Sequence, residues 1–438
     1  MRIHPAISLF LAALVCTGSL RAADILGDAD SRIRRYRTGD LVLHVMDSSG
    51  RPLPKGAKVQ IEQTRHKFLF GSDIFALGKC KTAEDNAAYE NAFAGLLNYA
   101  TLPFYWWTYE LAEGQPDYES TEKIVQWCRQ HNIQTKGHPL VWNYFDPPWL
   151  PRDPERAMRA QMDRVGKCVT RFRDEVNVWD VVNEATEFDR EETRKNSPVL
   201  TEGIRRMGVP DYIRSAFRAA REANPRATLL INDYRTGANY ADEVISKLTD
   251  ENGKSLYDVI GIQSHQHSGA WPAEKIWEVC ERFAMFGKPL HFTETTFLSG
   301  KLGWELKEQN PDFKWESTPE GERRQAEEVG RFYTMLFSHP AVEAITWWDL
   351  TDQGAWQGAP CGLLREDMTP KPAYEALMRL IKGKWWTKTE GVVGEGGEVK
   401  FRGFFGEYRV TFIEDGHPLT GTFGFERGTA EPNDVTLR

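Results

Sequence analysis

The chain has 438 residues, a net charge of −8 at pH 7, and 15 Trp, 14 Tyr and 23 Phe. This length allows one large barrel with appendages or two to three ordinary domains, and the negative charge argues against nucleic acid as a partner. The cysteines are widely spaced and form no CxxC pair. We therefore expect buried thiols rather than a disulfide framework.

Residues 1–23 have the pattern of a secretory signal peptide, with a short basic start, an apolar run from Ile7 to Val15, and small residues after it. A membrane anchor is the competing interpretation, but the apolar run is shorter than the roughly 20 residues that a spanning helix needs. Cys16 leaves a lipid-anchored form as a lesser alternative. We expect a secreted or periplasmic protein with no membrane span.

Residues 24–67 are predicted to form an N-terminal β segment. Two strand-like runs, "DLVLHVM" and "AKVQIEQ", are separated by an Asp-Ser-Ser-Gly turn. The basic run from Arg32 to Arg37 precedes them, and we interpret it as a solvated lead-in rather than a nucleic-acid patch.

In residues 68–384, short apolar runs alternate with longer amphipathic stretches, as at 119–131, 154–172 and 320–337. The strand-like runs cover residues 68–71, 98–104, 135–142, 176–184, 228–233, 259–265, 289–295 and 344–350. Strands alternating with helices predict a parallel sheet, and eight such units predict a closed (β/α)8 TIM barrel. A doubly wound open sheet is the alternative, but no glycine-rich phosphate loop follows the first run.

Residues 385–438 are predicted to form a C-terminal β segment, because aromatic residues such as Phe401 and Tyr408 recur among polar ones. The first and last elements of a closed barrel are neighbours in space. We therefore expect both flanks to pack together as one small β-sandwich beside the barrel. Its aromatic residues are interpreted as a small core, and carbohydrate binding by this part stays open.

Two glutamates stand at strand ends three strands apart, Glu184 after the fourth predicted strand and Glu294 after the seventh. The carboxyl ends of barrel strands share one face, so these side chains can meet across a pocket. Paired carboxylates across a cleft are what glycosidic cleavage needs: one protonates the leaving oxygen, and the other attacks the anomeric carbon or activates water.

The neighbours of the two glutamates suggest their roles. Asn183 directly precedes Glu184, and its amide can hydrogen-bond a sugar hydroxyl beside the reacting carbon. His265, at the end of the sixth strand, can hold Glu294 ionised and correctly rotated. We therefore assign Glu184 as the acid/base and Glu294 as the nucleophile.

Six motifs in order resemble glycoside hydrolase family ten, the retaining xylanases, over about residues 68–381. They are "GHPLVWN" at 137–143, "WDVVNEA" at 179–185, "INDY" at 231–234, "GIQSH" at 261–265, "FTET" at 292–295 and "WWDLTDQGAW" at 347–356. The resemblance implies the same roles for Glu184 and Glu294. It also implies that a further set contacts sugar or the carboxylates: His138, Trp142, Asn143, Asn183, Tyr234, Gln263 and His265, with Trp348 and Trp356 as an aromatic floor and wall.

The chain departs from the family pattern at three places. Where the family usually has a Glu-Asn pair followed by Lys-Trp after the second strand, this chain has "TLPFYWWTYE" at 101–110. Asn143 replaces a histidine, and Asp349 stands where glycine is usual. The first change exchanges hydrogen-bonding groups for aromatic surface, so strict xylan specificity comes into doubt.

The sequence thus predicts an exported retaining endo-β-1,4-glycanase, most simply an endo-1,4-β-xylanase, that acts on a polysaccharide as a monomer. One alternative is a related glycosidase for a different or decorated β-linked glycan, and another is a non-catalytic sugar-binding barrel. His265 and His267, two apart on one strand, could bind a metal, but no third ligand motif accompanies them. We expect neither a metal nor a cofactor.

Overall fold

The computed structural model describes residues 22–303, 305–310, 312–430 and 432–438. The predicted signal peptide lies outside the described residues except for its last two positions. Among the helices that the structure describes, none is long and apolar enough to cross a membrane. The five cysteines of the described residues carry free thiols, and all except the half-buried Cys80 are buried.

Eight parallel strands form a closed barrel within the described chain, in the order β10-β3-β4-β5-β6-β7-β8-β9. The predicted (β/α)8 barrel is confirmed. With the flanking strands included, the order along the chain is β1 Thr38–Met46, β2 Lys58–His66, β3 Leu69–Asp73, β4 Tyr99–Pro103, β5 Gln134–His138, β6 Val178–Asn183, β7 Thr228–Asp233, β8 Val259–Gln266, β9 Leu290–Phe297, β10 Val342–Trp347, β11 Lys388–Val392, β12 Glu398–Phe404, β13 Gly406–Glu414, β14 His417–Phe425 and β15 Asn433–Thr436.

Helices surround the barrel, so its strands are covered on both faces; every residue of β6 and β9 is buried. Several of these helices begin at an Asp or Thr whose side chain accepts the backbone N–H three residues on, as at Asp153 and Thr318, each followed by proline. The helices are α1 Ala22–Gly27, α2 Ala29–Arg37, α3 Ala83–Leu96, α4 Trp106–Tyr109, α5 Tyr118–Gln130, α6 Pro154–Arg171, α7 Glu191–Asn196, α8 Pro198–Met207, α9 Val209–Ala223, α10 Ala273–Ala284, α11 Glu305–Gln309, α12 Pro319–Ser338 and α13 Pro372–Arg379.

The start of the chain differs from the predicted β segment, because α1 and α2 precede β1. In α2, Ala29 and Ile33 are buried and lie four residues apart, on one helical face. The basic run is not simply solvated: the Arg32 guanidinium lies 4.5 Å from the Trp277 ring centroid, and Arg37 Nε donates to the Phe337 carbonyl oxygen at 2.7 Å. The arginine stems and heads cover the barrel's outer helices.

The two flanks form a β-sandwich beside the barrel, as the sequence predicts. One sheet has the order β12-β1-β15 and the other β11-β2-β13-β14, so each sheet contains strands from both ends of the chain. Leu43 of β1 and Ile61 of β2 are fully buried in one core with Tyr408 and Val410 of β13. Most pairings are antiparallel, but β1 and β15 run parallel.

Candidate active site

A cavity of about 540 Å³ opens at the carboxyl ends of the barrel strands. It contains every predicted site residue except Asn143: His138, Trp142, Asn183, Glu184, Tyr234, Gln263, His265, Glu294, Trp348 and Trp356. Residues outside the predicted set also line it: Tyr105, Tyr144, Arg190, Glu192, His267, Trp271, Thr296 and Gln357. The strand ends therefore bring groups from distant parts of the sequence into one space.

Glu184 directly follows β6, and its backbone conformation ends the strand. Its φ of 56° and ψ of 44° are left-handed, and the chain turns directly into a 3-10 turn at Ala185–Glu187. The carboxyl group accepts hydrogen bonds from Arg190 Nη1 at 2.7 Å and from Gln263 Nε2 at 3.3 Å. Burial raises the pKa of Glu184, and the charge of Glu294 adds to this, while Arg190 opposes it.

Glu294 lies within β9, which continues two residues past the predicted strand end. His265 Nε2 lies 3.0 Å from its Oε2, and Asn232 Nδ2 donates to its Oε1 at 2.9 Å. His138 Nε2 is 3.8 Å from the same Oε1. Burial works against ionisation, but the hydrogen bond from His265 and the nearby imidazoles hold the pKa of Glu294 below its ordinary value.

Amide side chains connect the two carboxyl groups. Asn183 Oδ1 accepts from Asn232 Nδ2 at 2.8 Å and from Gln263 Nε2 at 3.2 Å. Asn232 also contacts Glu294, and Gln263 also contacts Glu184. A continuous network therefore links Glu184 to Glu294 through three amides, which fixes both carboxyl groups around the same space.

His138 is oriented from below by a buried ion pair. Its Nδ1 lies 2.7 Å from Asp180 Oδ2, which also accepts from Lys136 Nζ at 2.6 Å. Burial opposes ionisation of Asp180, but Lys136 and the hydrogen bond from His138 keep its pKa below the ordinary value. The ionised Asp180 directs Nε2 of His138 toward Glu294.

Aromatic side chains form the floor and one wall. Trp348 is 8% exposed and packs edge-on against His138, with ring centroids 5.4 Å apart. Trp356 stacks on His267 at 4.5 Å and 13°. Burial, followed by the charge of His265, lowers the pKa of His267 to about 3, so this imidazole is neutral at ordinary pH.

A second aromatic group, which we call the aromatic cluster, lies on the segments that follow β4 and β5, including helix α4. It consists of Tyr105, Trp107, Trp142, Tyr144 and Phe145. Trp142 and Tyr144 stack at 4.4 Å and 18°, and Trp107 lies 5.7 Å from Trp142 and 5.4 Å from Phe145. The unusual segment 101–110 thus contributes aromatic surface beside the cavity.

Asn143 does not line the cavity. It is 3% exposed, and its Nδ2 donates to the Phe188 carbonyl oxygen at 2.7 Å and to Thr201 Oγ1 at 2.8 Å. The side chain joins the loops that follow β5 and β6, so we no longer assign it to substrate binding. Asp349 has a φ of 65°, which explains why glycine suits this position, and its Oδ2 accepts the Trp356 N–H at 2.9 Å.

Three groups that act on the carboxylates were missed in the sequence. Asn232 and Asp180 lie inside the quoted motifs "INDY" and "WDVVNEA", so position in a motif was an available signal. Arg190 lies on the loop after β6, and no local sequence pattern there predicts that its side chain reaches the cavity. His265 and His267, the pair considered above as metal ligands, make other contacts: His265 contacts Glu294 and Thr296 Oγ1, and His267 stacks on Trp356. No group of three or more potential metal ligands is found among the described residues.

Comparison with known proteins agrees with this geometry. The family model of glycosyl hydrolase family 10 matches residues 77–380, well over half of the chain. The chain belongs to glycosyl hydrolase family 10. The resemblance noted in the motifs is thereby confirmed. Family 10 structures also share the fold: xylanase 10B from Thermotoga petrophila RKU-1 in complex with xylobiose aligns with a TM-score of 0.59 and 26% identity, covering 73% of this chain and 95% of that one.

Two curated relatives of this family 10 chain differ in name. It is 31% identical over 298 residues to endo-1,4-beta-xylanase B of Thermotoga neapolitana, covering 64% of this chain and 78% of that protein. It is 24% identical over 400 residues to anti-sigma-I factor RsgI6 of Acetivibrio thermocellus, covering 89% of this chain. The chain spans about half of that factor's length, 47%.

Proposed function

We propose that this protein is a retaining endo-1,4-β-xylanase in which Glu184 is the acid/base and Glu294 the nucleophile. One observation carries the proposal: two buried carboxyl groups face one cavity, and their surroundings move their pKa values in opposite directions. A protonated acid and an ionised nucleophile at the same pH are what the first chemical step requires.

In that step, Glu184 gives its proton to the glycosidic oxygen while the bond from this oxygen to C1 breaks. The bond's electron pair stays with the leaving oxygen, and a Glu294 carboxylate oxygen forms a bond to C1. The product is a glycosyl ester on Glu294 and a free sugar hydroxyl on the leaving chain. His265 and Asn232 orient the attacking carboxylate from two sides.

In the second step, water attacks C1 and gives a proton to the Glu184 carboxylate, while the bond from C1 to Glu294 breaks. Two displacements at C1 return the original β configuration. The side-chain oxygen of Asn183 accepts hydrogen bonds from Asn232 and Gln263. Its side-chain nitrogen is available to donate to a sugar hydroxyl. This is the contact that the sequence predicts for Asn183.

A second candidate is a family 10 glycosidase for a different or decorated β-linked glycan. The aromatic cluster favours it, because its members Tyr105, Trp142 and Tyr144 line the cavity, and aromatic rings pack against sugar C–H surfaces with little hydrogen bonding to hydroxyl groups. Such a surface tolerates substituted hydroxyls better than a set of paired donors and acceptors does. Tyr105 is the residue of segment 101–110 that lines the cavity, which supports an influence of this segment on substrate preference.

We further infer that the protein is exported, as its first 23 residues predict, and that it acts on polysaccharide as a monomer. The non-catalytic alternative, a sugar-binding barrel, is disfavoured because a site that only binds sugar has no need of two carboxyls with opposed pKa values.

Incubation with xylan, mixed-linkage glucan and aryl β-xylosides, followed by product analysis, tests the proposal. We expect xylooligosaccharides from xylan, with first-formed products in the β configuration by proton NMR. Glu294→Ala should lower turnover at least about 10⁴-fold. Release of oligosaccharides only from glucan or from decorated chains, and not from plain xylan, would favour the second candidate. Binding of xylan without turnover, or α-configured products, would contradict a retaining hydrolase.

A further inference from the structure

Arg190 contacts the carboxyl group of Glu184 from a loop outside the family motifs. Its Nη1 lies 2.7 Å from Glu184 Oε2, and the two side chains are 23% and 11% exposed. Little water reaches this ion pair, so its charge interaction is weakly screened. Gln263 takes the other carboxyl oxygen at 3.3 Å, which leaves Arg190 as the ionic partner of this group.

Other side chains hold Arg190 in place. The guanidinium lies 5.5 Å from the ring centroid of Tyr144, and its Nε is 3.4 Å from Glu192 Oε2. The Tyr144 hydroxyl donates to Glu192 Oε1 at 2.5 Å. Glu192 therefore competes with Glu184 for the same cation, while Tyr144, on the loop after β5, fixes Glu192.

Other titratable groups face Glu184 from four further strands, while the imidazoles of the same cavity, His138 and His265, contact Glu294 instead. The groups on these four strands are Tyr105 after β4, Tyr144 after β5, Asp233 and Tyr234 at β7, and Glu294 on β9. All of these are acids or phenols, so none can stabilise the Glu184 carboxylate by its charge. Burial and Glu294 raise the pKa of Glu184, and the charge of Arg190 is the largest influence that opposes them.

We propose that Arg190 is a positioning residue that sets the pH at which Glu184 changes from acid to base. This rests on the proposed roles of Glu184 and Glu294. The first step needs protonated Glu184, and the second needs its carboxylate. When Glu294 becomes a glycosyl ester, its negative charge disappears, whereas Arg190 keeps its positive charge. Arg190 therefore favours the carboxylate at the stage when a base is required.

The pH dependence of kcat/KM on xylohexaose tests this, because its basic limb reports the acid of the free enzyme. Arg190→Gln removes the cation, so the pKa of Glu184 rises, and the basic limb should move up by about one pH unit. Arg190→Lys keeps a charge and should stay nearer the wild type. With an activated aryl xyloside, Arg190→Gln should also show a burst of aryl alcohol, because fewer molecules carry the base form.

Glu192→Gln should move the basic limb in the opposite direction. It removes a negative charge near Glu184 and leaves Arg190 free to pair with Glu184 alone. Arg235→Gln is the matched control, because Arg235 pairs with Glu187 at 2.5 Å on the same rim and has no contact with Glu184 among those described. The basic limb of the kcat/KM profile of Arg235→Gln should stay at the wild-type pH.

An unmoved basic limb in Arg190→Gln, or the same movement in Arg235→Gln, would overturn the proposal. If Arg190→Gln does not fold by circular dichroism, Arg190→Met decides in its place: an upward shift of the basic limb supports the role of Arg190, and no shift overturns it. Failure of the proposed function would be visible separately, as a wild type without turnover or as full turnover in Glu294→Ala.

Discussion

Glu294 carries its charge in a buried site because two imidazoles and an amide surround it. His265 makes the closest of the imidazole contacts, at 3.0 Å, and its other ring nitrogen is 2.8 Å from Thr296 Oγ1. His138 contributes from the opposite carboxyl oxygen, at 3.8 Å. The lowered pKa of Glu294 and the raised pKa of Glu184 together predict a bell-shaped dependence of rate on pH.

His265→Phe should move the acidic limb of this bell to higher pH. Glu294 is active as a carboxylate, so activity appears as pH rises through its pKa, and loss of the His265 donor raises that pKa. A hydrogen bond to a charged group is worth about 1.5–3 kcal/mol, so kcat/KM should fall about ten- to a hundredfold. The measurement is kcat/KM against pH. His131→Phe, at an exposed histidine stacked on Trp127, should leave the limb in place, and an unmoved limb in His265→Phe would contradict this role.

Individual residues differed in how well the sequence predicted them. Glu184 and Glu294 were predictable because polar residues that end apolar strands must lie at the carboxyl face of a barrel. Asn143 lies outside the cavity, because the direction of its side chain depends on a contact with Thr201 that no local pattern reveals. Arg190 was missed for the same reason, since the loop after β6 places it by tertiary packing.

Strands were predicted more reliably than their irregularities. All eight barrel strands lie where apolar runs alternate with amphipathic stretches, because burial on both faces leaves a local signature. Register shifts between Asp180 and Val182 and between Ile262 and Gln263 were not predictable. Such bulges re-aim side chains beside active sites, and these adjoin the strand ends that carry the carboxylates. Helix α2 was not predicted because only two of its residues, Ala29 and Ile33, are buried, and the arginines around them hide the helical pattern.

Gly137→Ala tests how closely β5 and β6 must approach. A Cβ at Gly137 would lie 2.2 Å from Cζ3 of the fully buried Trp179, which also packs on Phe104 at 4.9 Å. We expect the free energy of unfolding to fall by about 1–3 kcal/mol, measured by denaturant titration.

Gly166→Ala is the matched control on α6. A Cβ there meets nothing within 4 Å, and alanine is the better helix former by about 1 kcal/mol. Stability should stay the same or rise. If Gly137→Ala proved as stable as Gly166→Ala, the packing between β5 and β6 would be less tight than described.

At the scale of the whole molecule, closure of the barrel brings the two flanks together. β10 pairs with β3 in parallel, and after β10 the chain returns through α13 to the amino end of β3, where His66 Nε2 lies 3.0 Å from the Ile381 carbonyl oxygen. This is why the sequence could predict one sandwich from both ends, although the parallel pairing of β1 with β15 could not be foreseen. The division into 24–67, 68–384 and 385–438 stays a proposal.

The central claim is that Glu184 and Glu294, brought together by barrel closure, act on one sugar through an ester at Glu294. An activated 2-deoxy-2-fluoro-β-xylobioside measures this most directly, because fluorine slows hydrolysis of the glycosyl ester by destabilising its oxocarbenium-like transition state. Mass spectrometry of the digested protein should find the fluoro-xylobiosyl mass on the peptide that contains Glu294. Label on another residue, or turnover of natural substrate with no label at any stage, would contradict the account.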